Sequence, residues 1–169
     1  MASGKTTLGR PLASALGRPF VDTDCAVEAA CGRSVAEIFA GEGEAAFRRM
    51  ESEALRRAAA DGAVVACGGG TPCDGANMDF MLANGLVVEL AASPDVTLRR
   101  LMLAPGQRPL VDAMLDDPDK LAAHVAAMLR ARKPHYSRAH VSFNSDRLES
   151  RDQIDDSVAA FIKAFGHLL

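Results

Sequence analysis

Apolar residues recur along this chain in two alternating patterns, which predict helices and short buried strands in turn. Leu8, Leu12 and Leu16 form the first helical stripe, and this stripe predicts a helix that begins at Lys5-Thr6. Pro11 follows a few residues inside this helix, close to the first turn, in which a helix tolerates proline. Short apolar runs also predict four strands, which lie near Phe20, Val64, Val87 and Val141.

Serine residues mark where several helices start. Three serines precede apolar stripes in a form typical of a helix N-cap, and they are Ser34, Ser93 and Ser150. The helix after Ser34 is predicted to break at Gly41 and Gly43, and a second long helix is predicted over 44–61. Further helices are predicted over 77–84, 94–101 and 121–132, with the run 133–136 interrupting the last of them.

Strands that alternate with helices predict an α/β fold of three layers, α/β/α, with a central parallel sheet between the helices. The length of 169 residues predicts a single domain over 1–169. One irregular segment interrupts the pattern between about 103 and 117, where prolines, glycine and acidic residues replace the apolar stripe. A segment of this length without periodicity is typical of a functional lid.

Composition excludes several classes of protein. The net charge of −3 argues against a general nucleic-acid binder, and no apolar run approaches the length of a membrane span. The four cysteines lack zinc-site spacing and disulfide-framework context, so free thiols in a reducing cytoplasm are expected. These cysteines are Cys25, Cys31, Cys67 and Cys73.

The first residues of the chain carry the clearest chemistry. Gly4-Lys5-Thr6 is the closing half of the phosphate-binding motif G-x-x-x-x-G-K-[ST], in which backbone N–H groups converge on phosphate oxygens. Lys5 would reach the terminal phosphates, and the Thr6 hydroxyl would bind Mg²⁺. The opening glycine and the strand that feeds such a loop are expected ahead of Met1. The alternative interpretation of this short motif is a solvated, frayed terminus.

Two further candidate sites follow predicted strands. Asp22 and Asp24 end the first strand, where ligands bind in open α/β sheets, although a turn or a helix cap explains the same residues. Gly68-Gly69-Gly70 follows the second strand, and three glycines at this position favour close approach of a ligand to the backbone. Arg49, Arg56 and Arg57 are interpreted as a solvated helix face.

Taken in order, these motifs resemble the shikimate kinases, which are small nucleoside-monophosphate-kinase-like phosphotransferases of the aromatic amino-acid pathway. The resemblance covers essentially the whole chain. It rests on Gly4-Lys5-Thr6, Phe20-Val21-Asp22-Thr23-Asp24, Gly43-Glu44, Phe47-Arg48-Arg49-Met50-Glu51, Gly68-Gly69-Gly70, Arg108-Pro109-Leu110 and Arg132-Lys133-Pro134-His135-Tyr136. It implies a P-loop kinase fold whose sheet has five strands, the first of them absent from this sequence.

The resemblance also implies a role for each motif. Shikimate would be bound at its hydroxyls by Asp24, at its carboxylate by Arg48 and Arg132, and by the backbone of Gly69 and Gly70. ATP, the co-substrate, would contact Arg100, Arg108 and the loop residues Ala2, Ser3, Gly4, Lys5, Thr6 and Thr7. Mg²⁺ would be held by Thr6 and Asp22, and the catalytic residues would be Lys5, Asp24 and Arg108. A cytoplasmic monomer without a membrane or nucleic-acid partner is expected.

The missing front of the phosphate loop is the main departure from the family pattern, and it leaves alternatives open; two smaller departures accompany it. Cys67 stands where the family more often has threonine or serine, and the segment 144–149, which includes Arg147, matches the adenine-side loop only loosely. One alternative is a gluconate-type kinase of small molecules, which shares the phosphate loop and the sheet. Another is a non-catalytic remnant that binds shikimate without competent nucleotide binding.

Overall fold

The computed structural model describes residues 2–103 and 114–169, which form an α/β fold with parallel strands. The strands are β1 (Phe20–Asp22), β2 (Val64–Ala66), β3 (Val88–Ala91) and β4 (Val141–Asn144). The α-helices are α1 (Lys5–Ala15), α2 (Thr23–Cys31), α3 (Val35–Ala60), α4 (Asn77–Asn84), α5 (Pro94–Met102), α6 (Pro118–Tyr136) and α7 (Arg151–Phe165). Short 3₁₀ turns lie at Thr71–Cys73 and Gly166–Leu168. No helix in these two ranges is long and apolar enough to cross a membrane.

The four strands form two separate parallel pairs. In the first pair Phe20 lies opposite Val64, and in the second Val88 lies opposite Val141. Within the described residues no ladder joins β2 to β3. Between the two pairs lies a cavity of about 580 Å³ that is lined by β2, β3 and the buried face of α1. The sequence-based prediction of four strands is confirmed, and the sheet is divided at its middle.

Helix α1 holds the two halves of the fold together. It packs against β1, β2 and α7, and its buried residues Leu8 and Leu12 join a cluster with Val158 and Phe161 of α7. Phe143 of β4 adds an edge-to-face contact with Phe161, whose ring centroid lies 5.4 Å away. Because this cluster is buried, the start of α1 has a defined position relative to the ends of the strands.

The predicted helix starts are confirmed by their caps. The Ser34 side chain accepts from the Glu37 N–H while Glu37 bonds back to Ser34, which is a complete capping box. Ser93 and Ser150 each accept from the N–H three residues ahead. These interactions are local in sequence, so the residues alone were sufficient to predict them.

The predicted break at Gly43 is confirmed, whereas the predicted break at Gly41 and the predicted limits of α6 were wrong. The chain stays helical through Gly41 and leaves helical geometry only at Gly43, whose φ of 81° lies in the region that favours glycine. Helix α6 starts earlier than predicted, at Pro118, and runs through Pro134 to Tyr136 without the predicted interruption. Pro134 lies in the last turn, where helix packing outweighs the one backbone hydrogen bond that a proline removes.

Candidate active site

The phosphate loop turns into α1 at Gly4, as the sequence predicts. Gly4 has φ of 82°, and a Cβ at this position would lie 2.6 Å from the Leu148 Cδ1 atom. Glycine therefore satisfies both the left-handed backbone and the tight contact. Arg100 lies beside the loop, where its Nη1 donates to the Ala2 carbonyl at 3.4 Å and its Nη2 donates to the Ser145 carbonyl at 2.8 Å. The start of α1, whose first turn has no side-chain cap hydrogen bond, therefore lies next to a guanidinium, which is an arrangement that suits phosphate.

Thr6 and Asp22 meet across the gap between α1 and β1. The Thr6 hydroxyl donates to Asp22 Oδ2 at 2.8 Å. The other oxygen of Asp22 accepts from the N–H groups of Asp24 and Cys25, at 3.1 and 3.4 Å, and so caps α2. The capping interpretation is confirmed, and it does not exclude a ligand role for this carboxylate, because the cap uses one oxygen and leaves the other beside Thr6.

Each glycine of the loop after β2 lies against a charged side chain. A Cβ on Gly70 would lie 2.5 to 2.8 Å from three guanidinium atoms of Arg48, and a Cβ on Gly69 would lie 2.6 Å from Arg132 Nη1. A Cβ on Gly68 would overlap a carboxylate oxygen of Glu51 and lie 3.1 Å from Asp24 Oδ1. A side chain at any of these three positions would therefore displace a charged group from its place beside the loop.

Glu51 is a site residue that sequence reasoning placed in a motif without assigning it a role. Its side chain is fully buried, and its Oε2 accepts from Arg48 Nη1 at 2.8 Å. Its Oε1 accepts from the buried hydroxyl of Thr71, which also lies 2.8 Å from the Gly68 carbonyl oxygen. The exposed Glu44 contacts the other side of the same guanidinium, at 2.9 Å from Nη2. The spacing of Arg48 and Glu51, three residues apart on one helix, was the available signal.

Asp24 is electrostatically unusual. Its pKa is raised from 3.8 to about 6, first because the carboxyl group is largely buried, and then because Glu51 and Asp22 are negatively charged neighbours. The positive charges of Lys5 and Arg48 act in the opposite direction. A carboxylate whose pKa lies near neutrality is suited to accept a proton or a strong hydrogen bond from a substrate hydroxyl.

Cys67, the residue that departs from the family pattern, carries no charge in this site. Burial raises the pKa of its thiol to about 12, and the nearby carboxylate of Glu51 adds to the effect. Its Sγ lies 3.9 Å from Met81 Sδ, within an apolar contact. All four cysteines are free thiols, as predicted. Cys67 therefore behaves as a small apolar residue before the glycine loop.

Not every predicted residue can be placed. Arg108 and most of the predicted lid over 103–117 lie outside the residues that the structure describes, so both remain predictions. Arg49 is exposed, as expected of a solvated helix face. In the part of the chain that is described, no group of three or more histidine, cysteine, aspartate or glutamate side chains is arranged to hold a metal ion.

The arrangement brings a phosphate loop, a Thr–Asp pair and a raised-pKa carboxylate together with two arginines at a glycine loop. Parallel strands deliver both the acidic residues and the glycine loop at their carboxyl ends, which is where ligands bind in this kind of sheet. The fold and the site are those of a P-loop kinase that acts on a small molecule.

Comparison with known proteins defines the family. A family model described as shikimate kinase matches residues 1–163. The shikimate kinase of Bacteroides thetaiotaomicron is 42% identical over 159 residues, which cover 94% of this chain and 90% of that protein. That of Symbiobacterium thermophilum is 46% identical over 91% of this chain and 87% of the relative.

Two solved structures extend the likeness to three dimensions. The crystal structure of the Bacteroides thetaiotaomicron shikimate kinase matches with a TM-score of 0.92 at 39% identity, covering 98% of this chain and 94% of that one. A shikimate kinase from Acinetobacter baumannii in complex with shikimate matches with a TM-score of 0.82 at 30% identity, covering 100% and 90%. This chain belongs to the shikimate kinase family, as the sequence motifs predict.

Proposed function

We propose that this enzyme transfers the γ-phosphoryl group of ATP to the 3-hydroxyl of shikimate, forming shikimate 3-phosphate for aromatic amino-acid biosynthesis. The observation that carries the proposal is the meeting of Arg48 and Arg132 at the adjacent glycines Gly70 and Gly69, beside Asp24. Two guanidinium groups around one small space suit a carboxylate, and a neighbouring carboxylate suits a hydroxyl. A substrate that carries both groups on one ring fits this arrangement.

Shikimate is proposed to bind with its carboxylate between Arg48 and Arg132. The flat glycine backbone lets the ring approach closely, since no side chain stands between it and the two arginines. Asp24 then orients the attacking hydroxyl and accepts its proton or its hydrogen bond. Because phosphoryl transfer needs little covalent help from the protein, this positioning is the main contribution of the substrate side.

ATP is proposed to bind at the start of α1. The N–H groups of Gly4, Lys5 and the residues around them face its phosphates, and the Lys5 ammonium and Arg100 neutralise negative charge. Thr6 and Asp22 supply the hydroxyl and carboxylate oxygens that Mg²⁺ prefers, so this pair fits the ion. When bound, Mg²⁺ would neutralise charge on the phosphates of ATP. Arg108 is proposed to contact ATP on the family resemblance alone.

The direct experiment is a coupled assay of ADP release with shikimate as acceptor. It is run on residues 1–169 and on a version whose cavity between β2 and β3 is filled by an added N-terminal strand. Turnover with shikimate and none with gluconate is expected. Turnover with gluconate alone would favour the sugar-kinase alternative. Shikimate binding without turnover in both versions would favour a non-catalytic remnant.

Removing either arginine is expected to abolish measurable shikimate binding and to leave ATP binding intact. For Arg48→Ala and Arg132→Ala we expect a loss on the order of 2–5 kcal/mol, because the substrate carboxylate would be desolvated without its partner. Isothermal titration with each ligand measures both affinities. Normal shikimate affinity in either variant would remove that arginine from the site.

Matched controls separate this loss from unfolding. Arg49→Ala removes the exposed arginine next to Arg48, and Arg130→Ala removes the exposed arginine two residues before Arg132. Unchanged shikimate affinity is expected for both. Arg48→Ala also leaves the buried Glu51 unpaired, so Arg48→Lys is measured beside it. The lysine keeps the charge for Glu51 but loses the bidentate geometry, so weakened shikimate binding is still expected.

The proposal also covers the cellular location and the oligomeric state of the enzyme. We propose a cytoplasmic enzyme, which its four free cysteines support, because thiols persist in reducing compartments. We also propose that the enzyme is a monomer. Light scattering during size-exclusion chromatography, at concentrations used for the assay, tests the oligomeric state.

A further inference from the structure

Tyr136 joins the end of α6 to the glycine loop. Its hydroxyl donates to the Gly69 carbonyl oxygen at 2.7 Å, and its side chain is half-buried. A Cβ on Gly69 would lie 3.2 Å from the same hydroxyl oxygen. The two groups are separated by 67 positions in the sequence, so the contact is a tertiary one that ties two elements of the site together.

The same tyrosine also contacts Arg132. The two residues lie four apart on α6, which places them on one helix face. A Cβ on Gly69 would lie 2.6 Å from Arg132 Nη1 and 3.2 Å from the Tyr136 hydroxyl oxygen, so both groups meet at the same glycine. Burial raises the pKa of the Tyr136 phenol, so the group remains protonated at neutral pH and donates to Gly69. A chain of contacts therefore runs from the Arg132 guanidinium through the Tyr136 hydroxyl to the Gly69 backbone.

We infer that Tyr136 is a positioning residue, which holds Arg132 and Gly69 in the relative geometry that receives the carboxylate end of the substrate. The inference rests on the proposed function. It assigns a role to Tyr136, which had none. This residue acts through its two neighbours and does not touch the reacting atoms. An arginine side chain has several rotatable bonds, and packing beside a tyrosine that is itself bonded to Gly69 reduces the entropy that substrate binding must remove. The hydroxyl therefore sets substrate affinity more than the rate of phosphoryl transfer.

A purely structural role makes a different prediction. If Tyr136 only anchored the C-terminal turn of α6, its loss would lower stability and would change the kinetic constants for both substrates together. A positioning role changes the KM for shikimate alone, since ATP binds at the start of α1, on other residues. The two roles are therefore distinguished by which kinetic constant moves.

The test variant is Tyr136→Phe, which keeps the ring and removes one oxygen atom. In the version of the enzyme with the higher turnover, we expect the KM for shikimate to rise roughly 5- to 30-fold, because the half-buried Gly69 carbonyl loses its donor. We expect kcat and the KM for ATP to stay within about twofold of wild type. The matched control is Ser137→Ala, which removes a hydroxyl that donates to the Lys133 carbonyl on the exposed side of the same turn. Wild-type constants are expected for this control.

A double-mutant cycle shows whether the hydroxyl acts through Arg132. If it does, adding Tyr136→Phe to Arg132→Lys raises the KM for shikimate much less than it does in wild type, since the geometry it maintains is already lost. Fully additive effects would overturn the coupling to Arg132. An unchanged KM in Tyr136→Phe, or an equal fall of all constants, would overturn the positioning role itself.

A spectroscopic measurement keeps the inference testable if the variant folds poorly. The chain has one tyrosine and no tryptophan, so a 3-fluorotyrosine label reports on this position alone. Fluorine NMR of the labelled enzyme is expected to shift on addition of shikimate and not on addition of the uncharged shikimate methyl ester. No shift with shikimate would contradict the inference, whereas a wild-type enzyme that neither binds nor phosphorylates shikimate would contradict the proposed function instead.

Discussion

Replacing Asp24 by asparagine is expected to lower turnover by about 10²- to 10⁴-fold and, at the same time, to make the ligand-free protein more stable at neutral pH. The loss of activity follows because an amide cannot accept the proton of the attacking hydroxyl. The gain in stability follows because the folded protein holds the Asp24 charge in a poor environment, near Glu51 and Asp22 and away from water. Loss of activity with a gain of stability distinguishes a functional residue from a structural one.

The raised pKa of Asp24 determines how the free energy of unfolding depends on pH. The pKa of Asp24 is about 6 in the folded protein and 3.8 in the reference state, so the folded state binds the proton more tightly. The free energy of unfolding therefore falls as the pH rises from about 4 to about 6. At pH 7 Asp24 is ionised in both states, so the full loss of stability caused by its buried charge is present. After allowance for solvent screening, we expect Asp24→Asn to remove about 1–2 kcal/mol of this cost.

Thermal unfolding in magnesium-free buffer measures the effect. The Tm of Asp24→Asn is expected to exceed that of wild type by about 2–8 °C at pH 7, and the difference should largely disappear near pH 4. Asp61→Asn is the control, because Asp61 is exposed at the end of α3 and outside the site. A variant less stable than wild type at pH 7 would show that the Asp24 charge is stabilised by the site, contrary to this account.

A strand placed between β2 and β3 is expected to raise turnover with shikimate by more than about tenfold, because it fixes the phosphate loop in space. One edge of β2 pairs with β1 and one edge of β3 pairs with β4, so the other edges line the cavity of about 580 Å³. Buried backbone groups without partners cost about 1–3 kcal/mol each, which is large against the total stability of ~5–15 kcal/mol. A strand there would satisfy both edges.

The occupant is expected to be apolar and parallel to its neighbours. Val65, Leu90 and the α1 residues Leu8 and Leu12 line the cavity, and both existing pairs are parallel. A strand that leads directly into Gly4 would also hold the loop on the side opposite α1. Both halves of the sheet would then support one arrangement of the phosphate-binding N–H groups.

The experiment compares residues 1–169 with a version that has about ten added N-terminal residues, an apolar strand followed by Gly-x. The ADP-release assay and thermal unfolding are both measured, and a rise in Tm of about 10 °C or more is expected. An extension of equal length with charged residues at the inward positions is the control and should give neither gain. Equal turnover of the chain with and without the apolar strand would refute the central-strand explanation.

Much of the candidate site could be predicted from the sequence because its residues belong to short motifs. The phosphate loop, the acidic strand end and the glycine run each lie within a few consecutive positions. The loop precedes α1, Asp22 ends β1 and the glycines follow β2, as predicted, whereas Asp24 lies in the first turn of α2 and not on the strand. Glu51 and Tyr136 were not assigned roles, since their importance depends on partners such as Thr71 and Gly69 that are distant in sequence. Arg108 lies outside the described residues, so its predicted role stays a prediction.

The sequence by itself determined the order of helices and strands and the caps that start α3, α5 and α7, because periodicity and capping act within a few residues. Tertiary structure alone decided that Arg48 and Arg132 reach neighbouring glycines, and that burial brings the pKa of Asp24 to about 6. It also decided that α6 stays helical through Pro134. Desolvation, charge–charge distance and packing depend on which atoms the fold brings together, and no local pattern contains that information.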